Sequence, residues 1–82
     1  MITVYSRPGC PFCYSLRGGL RRAGIGFQEV DIWEDPKAAA FVRSVNGGSE
    51  TVPTVTVDSM ILINPSARQV LAASSCATDS GA

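Results

Sequence analysis

Two cysteines three positions apart, in the run Cys10-Pro11-Phe12-Cys13, are the residues of this chain best suited to chemistry. Side chains three apart in the first turn of a helix lie on one face at roughly 5–6 Å, a separation that a disulfide can bridge. Pro11 fits the first helical position, where its missing N–H is no loss. Cys10 then falls at the N-cap, with its sulfur facing backbone amides near Phe12 and Cys13 that have no partner inside the helix and lie at the positive end of its dipole. Both features favour a thiolate, the attacking species in thiol–disulfide exchange. Bringing an ordinary thiol, a few per cent ionised at pH 7, largely to thiolate takes on the order of 3–4 kcal/mol. The helix dipole supplies at most about 2 kcal/mol. Amide hydrogen bonds and Arg7, just upstream, have to provide the rest. Position therefore predicts Cys10 as the attacking thiolate and Cys13, on the apolar stripe of the helix, as the resolving thiol.

Other uses of the pair are poorly supplied. A structural zinc site needs four protein ligands. The chain of 82 residues has three cysteines and no histidine, so no metal site is expected. The absence of histidine also removes a cysteine–histidine protease arrangement and a histidine general base. An odd cysteine count with a Cys-x-x-Cys spacing fits a secreted disulfide framework badly. The opening MITVYSRPG has neither a basic segment nor a long apolar one, so no signal peptide is expected. No apolar run reaches the roughly 18–20 residues that cross a bilayer. The expectation is a soluble, cytoplasmic protein with no membrane partner. Seven basic and seven acidic residues leave no net charge, which argues against nucleic-acid binding by bulk electrostatics.

The elements that must position the cysteines are legible in the pattern. Ile2 to Tyr5 is a β-branched and aromatic run ended by the turn residues Ser6-Arg7-Pro8-Gly9. Cys13, Leu16, Leu20 and Ala23 then follow a helical stripe that stops near Gly24, with Gly18 and Gly19 weakening it by about 0.5–1 kcal/mol each. Phe27–Ile32 reads as a second strand. Asp35-Pro36 opens a helix that ends at Asn46-Gly47-Gly48. Thr54–Val57 and Met60–Ile63 flank Asp58-Ser59 as a hairpin. A last helix begins at Asn64-Pro65-Ser66, with Ser66 and Gln69 at capping-box spacing, and runs to about Ala73. The order β-α-β-α-β-β-α predicts an α/β fold, with a four-stranded mixed sheet covered by helices on both faces. It occupies residues 1–73 as one domain, and 74–82 form a flexible tail that carries Cys76 as a free thiol. Arg17, Arg21 and Arg22 read as a solvated helix face, Trp33 as a half-buried packing residue, and Phe12 as an exposed contact for a partner. Pro53 suits the first residue of a strand, which needs no N–H. Only about 5–6% of X-Pro bonds in folded proteins are cis, so composition leaves that isomer open.

Several stretches resemble a known family. Val4-Tyr5-Ser6-Arg7-Pro8-Gly9-Cys10-Pro11-Phe12-Cys13 is similar to the opening of glutaredoxins, and Thr51-Val52-Pro53 to the cis-proline signature of the thioredoxin fold. The run Phe41-Val42-Arg43-Ser44-Val45-Asn46-Gly47-Gly48, then Thr51-Val52-Pro53-Thr54-Val55 and Asn64-Pro65-Ser66-Ala67, resembles the mycoredoxins, the actinobacterial glutaredoxin-like proteins. Together these span about residues 2–73. The resemblance implies a thioredoxin fold with sheet order 2-1-3-4 and a cis Val52–Pro53 bond. It implies that Cys10 attacks a protein–mycothiol mixed disulfide and that a second mycothiol resolves the product, with Cys13 optional. Substrate would be held by Arg7, Pro11 and Phe12 beside Cys10 and by Thr51, Val52 and Pro53, with the Val52 backbone pairing with the incoming thiol. No cofactor would be bound, mycothiol would be the reducing co-substrate, S-thiolated proteins the clients, and the chain a monomer.

One departure bears on the thiol. Glutaredoxins that use glutathione typically carry Gly-Gly followed by an Asp at the start of the last helix; here the place reads Asn64-Pro65-Ser66-Ala67. Pro65 lacks an amide donor and Ala67 lacks a carboxylate, so glutathione is expected to bind poorly. Two rival functions stay open. A dithiol donor to ribonucleotide reductase, recharged by thioredoxin reductase, would suit the Ser-Arg-Pro-x-Cys opening. An iron–sulfur carrier would place Cys10 from two subunits, with two small thiols, around a cluster, although Pro11 is the pattern of the dithiol enzymes. At mildly acidic pH, iodoacetamide should alkylate Cys10 of the reduced protein faster than it alkylates an unstructured cysteine peptide; equal rates would remove the thiolate from the account.

Overall fold

The chain folds as β1 (Ile2–Ser6), α1 (Pro11–Arg22), β2 (Gln28–Asp31), α2 (Pro36–Val45), β3 (Thr54–Val57), β4 (Met60–Ile63) and α3 (Ala67–Gly81). This is the structure of a computed structural model that describes the backbone of residues 1–81 and the side chains of residues 1–74. The strands form one mixed sheet in the order β2-β1-β3-β4. β1 runs parallel to β2 (Val4 opposite Glu29) and antiparallel to β3 (Val4 opposite Val55), and β3 pairs antiparallel with β4 (Val55 opposite Leu62). The β1-α1-β2 crossover and the β3–β4 hairpin supply the two senses of pairing.

Alternation along β1 sorts its side chains onto two faces. Ile2 and Val4 join Leu16 and Leu20 of α1, Val55 and Val57 of β3, and Val70 of α3 in one core. Tyr5 points the other way, toward Ile32, Ala38, Ala39 and Val42. Helices α1 and α3 thus cover one face and α2 the other, as the order of elements predicts.

Each helix is bounded by the residues that the pattern singles out. α1 ends in a Schellman motif: Gly24 takes φ +73°, its N–H reaches the Arg21 carbonyl at 3.0 Å, and the Ile25 N–H reaches the Leu20 carbonyl at 3.0 Å. Asp35 caps α2, its Oδ1 accepting from the amides of Lys37 (3.0 Å) and Ala38 (3.3 Å). At the start of α3 the capping box is closed in both directions: the Gln69 amide donates to Ser66 Oγ at 3.2 Å, and the Ser66 amide to Gln69 Oε1 at 2.8 Å.

Three features differ from expectation. β2 covers Gln28–Asp31, the stretch in register with Thr3–Ser6 of β1, rather than Phe27–Ile32. α3 continues to Gly81 instead of stopping near Ala73; no glycine or proline interrupts 67–80, so nothing in the backbone forces an earlier end. The expected free thiol of Cys76, and the looseness expected of the tail, lie outside the described residues. Trp33 is 64% exposed rather than half-buried. The Trp33 amide is held by Asp31 Oδ1 at 2.9 Å, in a turn that carries the ring away from the sheet.

The two glycines inside α1 are not equivalent. A Cβ on Gly19 would stand 2.6 Å from the Ala67 Cβ of α3, whereas one on Gly18 would meet nothing within 4 Å. Gly19 is therefore the point of close approach between the two helices, and Gly18 has no such role. Gly18→Ala should raise stability by about 0.5–1 kcal/mol. Gly19→Ala should lower it by about 1–3 kcal/mol through overpacking. Urea midpoints of the two variants, shifted in opposite directions, are the check.

Candidate active site

The end of β1 delivers the chain into Arg7-Pro8-Gly9, and Gly9, at φ +75°, provides the left-handed step that turns it into α1. Cys10 follows in an extended conformation as the N-cap, with Pro11 at the first helical position. Its sulfur accepts a hydrogen bond from the Cys13 amide at 3.3 Å. An N–H directed at sulfur holds an anionic sulfur more strongly than a neutral one. Two of the sequence expectations, the capping role and the amide contact, are thus present in the geometry.

The two thiols occupy different surroundings. Cys10 retains 7% exposure and lines an open groove, while Cys13 is fully buried. Burial, first of all, pushes the Cys13 thiol up from an ordinary 9.0 to about 12; its hydrogen bond and charge interaction with Cys10 act in the same direction. The Arg7 backbone and the Arg17 guanidinium pull the other way. Arg7, expected to support Cys10, lines the groove beside it, and its backbone also interacts with Cys13.

Across from Cys10 stands the loop Thr51-Val52-Pro53. The Val52–Pro53 bond is cis, and the Val52 carbonyl oxygen lies 4.0 Å from Cys10 Sγ. The groove between them, about 520 Å³, is lined by Arg7, Pro11, Phe12, Thr51 and Val52, five of the predicted substrate residues. Pro53 is buried beneath this surface. Phe12 is 67% exposed, in the rim position expected of it. Ser49, Glu50 and Asn64 also line the groove. Sequence reading missed Ser49 and Glu50, whose only signal is that they directly precede Thr51. It missed as well the polar contacts behind the loop: Thr54 Oγ1 donates to the Thr51 carbonyl at 2.7 Å, and Asn46 Nδ2 donates to Thr54 Oγ1 at 3.4 Å.

On the basic side of α1, Arg21 and Arg22 are exposed as expected of a solvated face, and Arg17 departs from it. Arg17, with its side chain 18% exposed, pairs with Glu29 of β2 and lies 4.6 Å over the Tyr14 ring. Arg21 stacks over Phe27 at 5.8 Å. Among the described residues no cluster of three metal-ligating side chains forms, and no helix is long and apolar enough to cross a membrane.

A Cys-x-x-Cys pair at the start of a helix, facing a cis-proline loop in a four-stranded mixed sheet, defines a thioredoxin-fold thiol–disulfide oxidoreductase. Residues 2–62 match the glutaredoxin family profile, and the chain belongs to the glutaredoxin family. Over 72 residues it is 46% identical to a Mycobacterium tuberculosis protein assigned to the glutaredoxins, covering 87% of this chain and 86% of that protein. Over 72 residues it is 39% identical to mycoredoxin 1 of Corynebacterium glutamicum, covering 87% of this chain and 89% of that one. A thioredoxin-like protein of known crystal structure superposes with a TM-score of 0.76 at 24% identity, over 88% of this chain and 97% of that one.

The burial of Cys13 has a consequence for stability. Between pH 9 and about 12 the folded chain keeps a proton on Cys13 that the unfolded chain has released, so stability falls as pH rises through that window. The urea midpoint of the reduced protein should drop more steeply above pH 9 than that of Cys13→Ala; parallel curves would show that Cys13 is not buried as a neutral thiol.

Proposed function

We propose that this glutaredoxin-family oxidoreductase reduces protein–mycothiol mixed disulfides in the cytoplasm. Cys10 attacks the mycothiol sulfur of the mixed disulfide. A Cys10–mycothiol disulfide forms, the bond to the client breaks, and the client cysteine leaves as a thiolate that takes up a proton. A second mycothiol, as thiolate, then attacks the mycothiol sulfur on Cys10. Mycothiol disulfide leaves and Cys10 is regenerated as a thiolate, so the net exchange consumes one mycothiol for each client thiol released.

The observation that carries this reading is the asymmetry of the pair. Cys10 opens onto the groove and faces the Val52 carbonyl, whereas Cys13 is sealed and holds its proton. A protonated, buried Cys13 is a slow internal nucleophile, which leaves resolution to a thiol arriving through the groove. The lining supports the choice of thiol. Ser49, Thr51 and Asn64 offer hydroxyl and amide groups suited to a hydroxyl-rich molecule, alongside the charged Arg7 and Glu50. By the family resemblance, Ala67 takes the place of the Asp with which glutathione-using relatives grip the amino end of glutathione, and it offers no carboxylate. The likeness to mycoredoxin 1 points the same way. Arg7, Pro11 and Phe12 on one side and Thr51, Val52 and Pro53 on the other hold the substrate in this proposal.

The test is turnover of one client peptide carrying either mycothiol or glutathione. Cys10→Ser should abolish turnover and Cys13→Ser should keep most of it. The mycothiolated peptide should be preferred by about tenfold, which corresponds to ~1.4 kcal/mol, the upper range of one ordinary hydrogen bond. Equal rates on the two peptides would refute the choice of mycothiol. Complete loss in Cys13→Ser would favour a dithiol donor instead.

A further inference from the structure

We propose that Thr54 is a positioning residue for this reaction: from inside β3 its hydroxyl fixes the Thr51–Pro53 loop so that the Val52 backbone faces Cys10. The inference rests on the mixed-disulfide reading above, in which the incoming thiol pairs with that backbone.

Thr54 is fully buried at the start of a central strand, opposite Tyr5 of β1 and Ile63 of β4. Its strand neighbours Val55 and Val57 are apolar, and packing alone would be served equally well by valine, which has the same shape. A buried hydroxyl is tolerated only if it is hydrogen-bonded, and this one is bonded twice. It donates to the Thr51 carbonyl at 2.7 Å and accepts from Asn46 Nδ2 at 3.4 Å. Asn46 Nδ2 also donates to the Val42 carbonyl at 2.8 Å, so the relay is anchored in the last turn of α2. On the far side of the loop, the Asn64 amide donates to the Pro53 carbonyl at 2.8 Å.

The consequence is a peptide held from both ends. The carbonyls of Thr51 and Pro53 are occupied, and the carbonyl of Val52 between them lies 4.0 Å from Cys10 Sγ. Turning the Val52 peptide away from the groove would require breaking one of its neighbours' bonds. Thr54 does not line the groove, so its effect on a bound ligand passes through the loop.

That last point sets the test. Thr54→Val keeps shape and strand preference but removes the hydroxyl, and Thr54→Ser keeps the hydroxyl. Steady-state kinetics are read on whichever thiolated peptide, mycothiolated or glutathionylated, the unaltered chain turns over faster. Alkylation of Cys10 by iodoacetamide, which needs no peptide bound along the loop, is measured in parallel. Thr54→Val should raise KM several-fold with a smaller change in kcat, Thr54→Ser should restore KM, and the alkylation rate should stay the same in all three proteins. An unchanged KM in Thr54→Val overturns the proposal. So does a fall in alkylation that matches the fall in turnover, since that would mark a general disturbance of the fold. A preference for the glutathionylated peptide would overturn the choice of mycothiol while leaving the comparison of Thr54 variants readable.

Discussion

The hydrogen bond from the Cys13 amide to the sulfur of Cys10, 3.3 Å long, makes demands that reach across the molecule. It requires Cys10 to cap a helix rather than lie within it, so the backbone must be extended at Cys10 and helical from Pro11. It requires the helix to start close to the end of β1, which Gly9 permits by taking φ +75°. And it requires α1 to stay in place, since a helix that slid or frayed would carry its first amides away from the sulfur. Gly19 meets the last demand. By letting α1 approach Ala67 of α3 without a side chain between, it seats the helix against the sheet through Leu16 and Leu20.

Helical geometry also separates the surroundings of the two cysteines. Residues three apart share a face, but the first stands at the helix end and the second one turn inside. Here that step takes the sulfur from the edge of a groove to full burial. Desolvation penalises the charged form of Cys13, while Cys10 keeps a donor and an opening. The same short motif thus places one thiol at the edge of the groove and the other in the core.

What the sequence made legible is what local rules decide. The Cys10 cap, Pro11 at the first helical position, the Asp35 cap, the Ser66–Gln69 capping box and the Asp58-Ser59 hairpin each depend on residues within a few positions of one another, and all are present. What escaped depends on partners distant in sequence. Arg17 looks like a solvated charge until β2 brings Glu29 beside it. Gly19 looks like a weakness in a helix until α3 packs on it. Trp33 looks like a half-buried packing residue, but β2 is an edge strand and Trp33, in the turn after it, is exposed. Composition cannot report the isomer of the Val52–Pro53 bond, because the trans form is the common one; the family resemblance implied cis, and the structure has it.

The meeting of the groove's parts follows from strand register. β1 and β3 are antiparallel with Tyr5 opposite Thr54, so the C-terminal end of β1 and the N-terminal start of β3 lie at the same edge of the sheet. Cys10, a short loop beyond β1, and Pro53, immediately before β3, are therefore neighbours although more than half the chain separates them. β4 runs back along β3 with Ile63 opposite Thr54, which returns Asn64 to that edge, where its amide takes the Pro53 carbonyl. α2 ends there too, with Asn46 reaching Thr54. Four segments converge because the strands are paired as they are. A slip of β3 by one residue would turn Thr54 toward the opposite face, break its bond to the Thr51 carbonyl and move the Val52 backbone away from the sulfur. The alternation that buries Val55 and Val57 in the core forbids that slip, so the hydrophobic pattern of β3 holds the polar geometry of the site in register.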